Sequence, residues 1–132
     1  MSVTTVDRRK LGLIKKVAIS EAGELGVHVD SVILFGSRSR GDAREDSDWD
    51  ILVVVREELN RDMMRKLTYR IRAKLVEFLQ SPVDVIVSTK GKWEKYKDEI
   101  GHLFYSVKKE GITALKKRAL PHDSMQMAME SS

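Results

Sequence analysis

The longest uninterrupted apolar run in the chain covers residues 51–55, and this run constrains the fold more than any other feature of the sequence. It is far too short to cross a bilayer, which takes about 20 apolar residues. Isoleucine and valine dominate the run, and such β-branched residues favour strands. We therefore predict a strand over residues 48–55 and a chain that folds around a β-sheet.

Three other stretches carry apolar residues at the spacing of a helix. The first predicts a helix from residue 7 to residue 25, with a face formed by Leu11, Ile14, Ala18, Ala22 and Leu25. The second predicts a long helix that begins near residue 59, with a stripe formed by Leu59, Met63, Leu67, Ile71, Leu75 and Phe78. The third predicts a helix that breaks near Gly101, with a stripe formed by Trp93, Tyr96, Ile100, Phe104 and Val107.

Three further apolar segments predict strands, namely residues 32–35, 83–87 and 112–115. Pro82 ends the helix before the second of these strands and is tolerated at the first position of a strand. Residues 38–47 have no periodic apolar positions, so we expect a loop or a short polar turn there. This order of elements predicts an α/β (α+β) fold class, a small mixed β-sheet flanked by helices.

The predicted helices and strands form one domain over residues 1–115, followed by a flexible tail over residues 116–132. The tail contains Met125, Met127 and Met129. Methionine-rich segments can dock on partners, although fraying of a chain end is the simpler interpretation.

The composition excludes several kinds of site. The chain has no cysteine, which excludes disulfides, a thiol nucleophile and a cysteine-based zinc site. Its polar N-terminal segment lacks the apolar stretch of a signal peptide, so we expect a cytoplasmic protein without a membrane segment. The formal net charge is +4, yet residues 31–60 hold seven acidic against four basic residues, which favours cation binding there. His28, His102 and His122 are far apart in sequence, and we expect surface or packing roles for them.

The stretch that carries chemistry is FGSRSRGDAREDSDWD, residues 35–50. Gly36 and Ser37 follow a predicted strand, and glycine permits a turn that other residues resist. If a helical turn follows, its backbone N–H groups and the Ser37 hydroxyl form an anion site. Arg38 and Arg40 add guanidinium donors suited to phosphate oxygens.

Three aspartates predict a metal site. Asp48 and Asp50 are two positions apart in a predicted strand, so both side chains point to the same face. Asp84 interrupts the Val and Ile residues of another strand, where an isolated carboxylate is costly to bury without a cation. If the two strands are neighbours, the three carboxylates meet and can ligate Mg²⁺. An anion cradle beside such a triad is the layout for a nucleoside triphosphate with Mg²⁺.

The combination of Gly-Ser, ten residues and Asp-x-Asp is similar to the signature of the polymerase-beta-like nucleotidyltransferases. The longer segment LFGSRSRGDAREDSDWDILVVV resembles the minimal nucleotidyltransferase (MNT) branch, although Trp49 is bulkier than the aliphatic residue often found between the acids. The resemblance implies transfer of a nucleoside monophosphate, AMP from ATP, to an acceptor hydroxyl with two Mg²⁺ ions.

The same resemblance implies a role for each residue of the motif. Gly36 and Ser37 bind the nucleotide through its triphosphate, with help from Arg38 or Arg40. The catalytic and metal-binding residues are the three acids, Asp48, Asp50 and Asp84.

The resemblance also implies a partner. Members of this branch commonly pair with small helical HEPN proteins as toxin–antitoxin modules, and some adenylylate a tyrosine of the toxin. The expected function here is therefore that of an antitoxin acting on a HEPN-type partner. Because one small domain has little room for an acceptor pocket, we expect the acceptor site to come from another chain, a second copy of this chain or the acceptor itself.

Two other functions stay open on the sequence alone. One is a non-catalytic nucleotide-binding antitoxin that acts by direct contact with its partner. The other is modification of nucleic-acid ends through a basic row on the second long helix, formed by Arg61, Arg65, Lys66, Arg70, Arg72 and Lys74. We expect that row to be a solvated helix face instead, because nucleic-acid binders usually interleave aromatic residues and only Tyr69 does so here.

Overall fold

Residues 8–41 and 47–116 are described by a computed structural model, and they contain five helices and four strands. The helices are α1 (Arg8–Glu24), α2 (Ser37–Arg40), α3 (Arg61–Leu79), α4 (Lys90–Tyr96) and α5 (Leu103–Glu110). The strands are β1 (Val29–Phe35), β2 (Trp49–Val55), β3 (Val83–Thr89) and β4 (Ile112–Lys116). Lys116, the first residue of the predicted tail, is the last residue of β4. The rest of that tail, residues 117–132 with the methionines and His122, lies outside the described residues.

The four strands form a single mixed sheet in the order β3-β2-β1-β4. Strand β1 pairs antiparallel with both β2 and β4, whereas β2 and β3 are parallel. A parallel pair needs a long crossover connection, and α3 provides it between β2 and β3. The predicted fold class, a small mixed sheet flanked by helices, is therefore confirmed.

Residues 51–55 of strand β2 are all apolar because both faces of the sheet are covered there. The residues of its run, 51–55, are each 0% exposed. Ile51, Val53 and Val55 pack with residues of α1 and α3 on one face. Leu52 and Val54 pack on the other face with aromatic residues of α4 and α5. A strand buried on both faces loses the polar–apolar alternation of a half-exposed one.

The break predicted near Gly101 is confirmed, since α4 and α5 are separate helices and Gly101 has a φ of +97°. The predicted stripe is wrong at Ile100, which is 81% exposed because it lies in the connection. His102 starts α5: its Nδ1 accepts a hydrogen bond of 3.0 Å from the Phe104 N–H. Its ring also stacks on Tyr96 with centroids 4.5 Å apart, which is the packing role expected for it.

The stripe predicted on α3 is wrong at its last position. Phe78 is 52% exposed, and Leu79, at 7%, takes the buried place. The buried residues of α3 recur every fourth position, at Leu67, Ile71, Leu75 and Leu79. Successive helical residues are rotated by about 100°, so Phe78 lies to one side of this buried row.

Two arginines of the basic row on α3 form ion pairs with acidic residues of this chain. Arg70 Nε donates to the buried carboxylate of Glu21 at 2.9 Å and also binds Glu24 on α1. Arg65 lies 3.7 Å from Asp62 on its own helix. Neither α3 nor any other helix within the described ranges is long and apolar enough to cross a membrane.

Candidate active site

One row of residues crosses three strands at a single edge of the sheet. Phe35 of β1 is paired with Asp50 of β2, and Asp50 is paired with Asp84 of β3. Neighbouring strands lie about 4.8 Å apart, so the two carboxylates project side by side from parallel strands. Asp48 lies one residue before β2. The strand pairing on which the predicted triad depends is thus present, and it brings the three acids to one edge.

Asp50 is the carboxyl group that this environment perturbs. Its partial burial raises the pKa of Asp50, the charges of Asp84 and Asp48 raise it further, and the charge of Arg40 opposes the rise. Like charges at this range favour the neutral form of one partner. A divalent cation among the carboxylates would remove that repulsion. The electrostatics of the site therefore fit a cation.

The three carboxylates are close enough to repel one another without forming a coordination shell. Across residues 8–41 and 47–116, no group of three or more Asp, Glu or His side chains is gathered closely enough to hold a metal ion. Oxygen donors of this kind are the ligands that Mg²⁺ prefers, and Asp side chains can change rotamer on a fixed backbone. The donor set therefore fits Mg²⁺.

Gly36 brings the backbone against Asp50 directly after β1. Its φ is +77°, in the left-handed region that favours glycine. A Cβ atom at this position would also overlap the Oδ2 atom of Asp50. The glycine of the motif is thus needed both for its conformation and for the close approach.

The helical turn expected after Gly36 is present as α2, which begins at Ser37. The Gly36 carbonyl accepts hydrogen bonds from the N–H groups of Ser39 and Arg40, at 3.1 and 3.2 Å. The first N–H groups of any helix have no acceptor within that helix. Ser37 thus stands at the start of α2, next to the Gly36–Asp50 contact.

Arg40 and Arg38 lie in different environments although both are on α2. Arg40 is exposed, lies 3.7 Å from Glu110 of α5, and acts on Asp50 through its charge. Arg38 instead donates from Nε and Nη2 to the Ser47 carbonyl, at 3.2 and 2.7 Å. The charge of Arg40 thus acts on the carboxylate row at Asp50.

Trp49, which lies between the two aspartates of the motif, packs against the side chain of Arg38. The Arg38 guanidinium carbon is 4.1 Å from the centroid of the Trp49 ring. Trp49 is 3% exposed and belongs to the core cluster formed with α1 and α3. The bulk of this residue therefore has a packing explanation on the face opposite the carboxylates.

Arg72 is a site neighbour that the sequence does not single out. It lies on α3, and its Nε donates to the Val83 carbonyl at 3.0 Å, one residue before Asp84. The sequence shows Arg72 only as one member of a basic row, because this contact depends on how α3 packs against β3.

A family model described as a nucleotidyltransferase domain matches residues 15–110. The matched range covers most of the chain and contains all the predicted site residues, from Gly36 to Asp84. No curated protein sequence matches the chain.

Solved structures share the fold. A chain in a crystal structure of a toxin–antitoxin with AMP-PNP has a TM-score of 0.57 at 20% identity, over 96% of this chain and 91% of that chain. A chain of the tri-AMPylated Shewanella oneidensis HEPN toxin in complex with MNT antitoxin has a TM-score of 0.55 at 18% identity, over 95% and 91%. A protein described as a minimal nucleotidyltransferase has a TM-score of 0.51 at 26% identity, over 81% and 95%.

Proposed function

The chain belongs to the nucleotidyltransferase domain family, and from this premise we propose that it transfers AMP from ATP to a hydroxyl group of an acceptor. The observation that carries the proposal is the pairing of Asp50 with Asp84 beside the Gly36 turn. This pairing places a group of carboxylates next to the start of a helix. Cation ligands and hydrogen-bond donors to phosphate therefore lie at the same edge of the sheet.

The triphosphate would lie at the start of α2. Gly36 permits close approach of the backbone, and Ser37 presents its N–H and hydroxyl groups as donors. The charge of Arg40, which already acts on Asp50, would attract the phosphates. A role for Arg38 in phosphate binding is weaker than the motif suggests, because two of its donor atoms bond to the Ser47 carbonyl.

Asp48, Asp50 and Asp84 would hold two Mg²⁺ ions. When bound, Mg²⁺ neutralises charge on the phosphates and stabilises the pyrophosphate leaving group. The acceptor oxygen attacks the α-phosphorus, the bond to the bridging oxygen breaks, and pyrophosphate leaves. Asp84 is the exposed carboxylate of the strand row, and we assign it acceptance of the proton from the attacking hydroxyl.

A tyrosine hydroxyl of a HEPN-type toxin is the acceptor that we propose, with this chain as the antitoxin. Two structures of similar fold support the proposal, one a toxin–antitoxin with AMP-PNP and the other containing a tri-AMPylated HEPN toxin.

The test is transfer of label from [α-³²P]ATP with Mg²⁺ to the helical protein that copurifies with this chain. We expect label on the partner with the wild-type protein, and none with Asp48→Ala or Asp50→Ala. Asp62→Ala is the matched control, because the Asp62 side chain is 95% exposed on α3. Replacement of the accepting tyrosine by phenylalanine in the partner should abolish labelling.

Equal labelling by the wild type and both aspartate variants would contradict the proposal. The same variants distinguish the alternative of an antitoxin that acts by contact alone. If Asp48→Ala still silences the partner as well as the wild type does, neutralisation does not require AMP transfer. If toxicity returns with that variant, neutralisation depends on catalysis.

A further inference from the structure

Two arginine side chains bind the backbone immediately before two of the site aspartates. Arg38 donates from Nε and Nη2 to the carbonyl of Ser47, which precedes Asp48, at 3.2 and 2.7 Å. Arg72 donates from Nε to the carbonyl of Val83, which precedes Asp84, at 3.0 Å. The two arginines come from different helices, so the coincidence is produced by the tertiary fold.

Arg38 contacts the chain on both sides of Asp48. In addition to the Ser47 carbonyl, its guanidinium lies over the Trp49 ring, 4.1 Å from the centroid. Trp49 is buried in the core and offers a rigid surface to the guanidinium plane. The two N–H donors on Ser47 and the contact with the Trp49 ring together restrict the orientation of the segment from residue 47 to residue 49.

Arg72 performs the equivalent contact at the start of β3. Its neighbour Ile71 and the next-turn residue Leu75 are both 0% exposed, which anchors this part of α3 against the sheet. From this anchored helix Arg72 reaches the Val83 carbonyl. The position of Asp84 is therefore tied to α3 and not only to its own strand.

The two contacts converge on one junction between β2 and β3. Trp49 and Val83 are register partners, and the Trp49 N–H donates to the Pro82 carbonyl at 3.0 Å. Arg38 binds next to Trp49 in β2, and Arg72 binds Val83 in β3. Both arginines thus act on the strand pair whose next residues are Asp50 and Asp84.

We propose that Arg38 and Arg72 are positioning residues that hold the backbone beneath Asp48 and Asp84, so that the carboxylates can converge on a divalent cation. The proposal deepens the proposed function and rests on it for the identity of the cation. It assigns to Arg38 a role different from phosphate binding, and it gives Arg72, an exposed member of the basic row, a specific contact with the backbone.

The first measurement is hydrogen exchange of the Trp49 amide in the protein without nucleotide or metal. We expect Arg38→Gln and Arg72→Gln to speed exchange about tenfold, the effect of losing one charge-assisted hydrogen bond. Arg65→Gln is the control on the same helix, since Arg65 faces solvent and lies 3.7 Å from Asp62. Unchanged exchange in both variants would overturn the proposal whether or not the protein transfers AMP.

The second measurement is Mn²⁺ binding, by electron paramagnetic resonance, in the presence of α,β-methylene-ATP, which cannot be cleaved at the α-phosphate. We expect Arg38→Gln and Arg72→Gln to weaken Mn²⁺ binding at least tenfold, as is typical when the supports of metal ligands are lost. Affinity for the nucleotide in EDTA should match that of the wild type, because positioning acts through the cation ligands and not through the phosphates. Arg65→Gln should match the wild type in both.

Arg38→Lys separates positioning from phosphate binding. Lysine keeps the charge and binds phosphate as a point charge, but it lacks the planar fork and the stacking surface. We expect it to lose Mn²⁺ affinity as Arg38→Gln does. Full retention by Arg38→Lys, or loss of nucleotide affinity in EDTA with Mn²⁺ binding intact, would overturn the positioning role.

Failure of the proposed function gives a different pattern of results. A wild-type protein that binds Mn²⁺ and nucleotide but labels no acceptor would contradict AMP transfer. Hydrogen exchange and Mn²⁺ binding of the arginine variants would still test the positioning role. A wild-type protein that binds no Mn²⁺ with the nucleotide would overturn the positioning proposal as well, because there would be no cation to position carboxylates for.

Discussion

Asp50 of β2 is the register partner of Asp84 of β3, so two carboxylates lie side by side at the amino-terminal ends of parallel strands. Strand pairing holds them there against their mutual repulsion, with Asp48 adding a third charge. The metal-free protein carries this electrostatic cost in its folded state. A divalent cation among these carboxylates would convert the same arrangement into a favourable one.

Asp50→Asn should stabilise the metal-free protein at neutral pH. The pKa of Asp50 is raised above its usual 3.8 on folding, so the charged form opposes folding at pH values above the folded-state pKa. As the pH falls towards 3.8 and below, the carboxyl becomes protonated in both states and the penalty vanishes. Thermal melts in EDTA should therefore show a higher Tm for the variant at pH 7 and a shrinking difference towards pH 4.

Mg²⁺ should reverse this order of stability. The ion should raise the Tm of the wild type more than that of Asp50→Asn, because the variant lacks one ligand. Asp62→Asn, a change at an exposed acid, serves as the control in both media. A lower Tm for Asp50→Asn than for the wild type in EDTA at pH 7 would show that repulsion does not dominate at this residue.

Gly36→Ala should impair both folding and the site. The φ of +77° costs an L-residue about 1 to 2 kcal/mol of folding free energy, and the added Cβ overlaps Asp50 Oδ2. We expect chemical denaturation to show at least that loss, together with weaker Mn²⁺ and nucleotide binding.

Gly12→Ala is the matched control for Gly36→Ala. A Cβ at Gly12 of α1 meets nothing within 4 Å, so this change should stabilise the helix by up to about 1 kcal/mol. Equal behaviour of the two alanine variants would contradict the close approach of Gly36 to Asp50.

Leu79→Ala should destabilise the protein much more than Phe78→Ala. Leu79 is 7% exposed in the core between α3 and the sheet, and truncation of such a leucine costs about 2 to 5 kcal/mol. Phe78 is 52% exposed, so its truncation should cost well below about 2 kcal/mol. Urea unfolding of the two variants measures the loss of unfolding free energy in each. A larger loss for Phe78→Ala than for Leu79→Ala would support the stripe predicted from the sequence.

His102→Ala should lower stability without weakening cation binding. The imidazole accepts the Phe104 N–H as the cap of α5 and stacks on Tyr96, and loss of a helix cap costs about 1 kcal/mol. His102→Asn should recover part of this loss, because asparagine is also a good cap. Mn²⁺ titration of both variants should give the wild-type affinity, and a large change there would place His102 in the site.

The strands and the motif were predictable because their signals are local. Gly36 and Asp50 are recognisable from residue type and spacing alone. The resemblance to nucleotidyltransferases that they support is confirmed by the family model. The roles predicted for the individual site residues stay predictions. Phe78 was misassigned because helical spacing tolerates either of two neighbouring positions, and the choice depends on which side meets the sheet. Ile100 was misassigned because it lies in the connection between α4 and α5, where no helical stripe applies.

Residue types and their spacing were enough to predict the mixed sheet, the glycine turn and three acids near apolar strands. That Asp50 and Asp84 are neighbours follows from the packed fold, because register between strands distant in sequence depends on the crossover through α3. The packed fold also decided that Arg38 and Arg72 bind the backbone before Asp48 and Asp84. The sequence specifies only the charge and the length of an arginine side chain. Its hydrogen-bond partner depends on which elements the packing brings within that length.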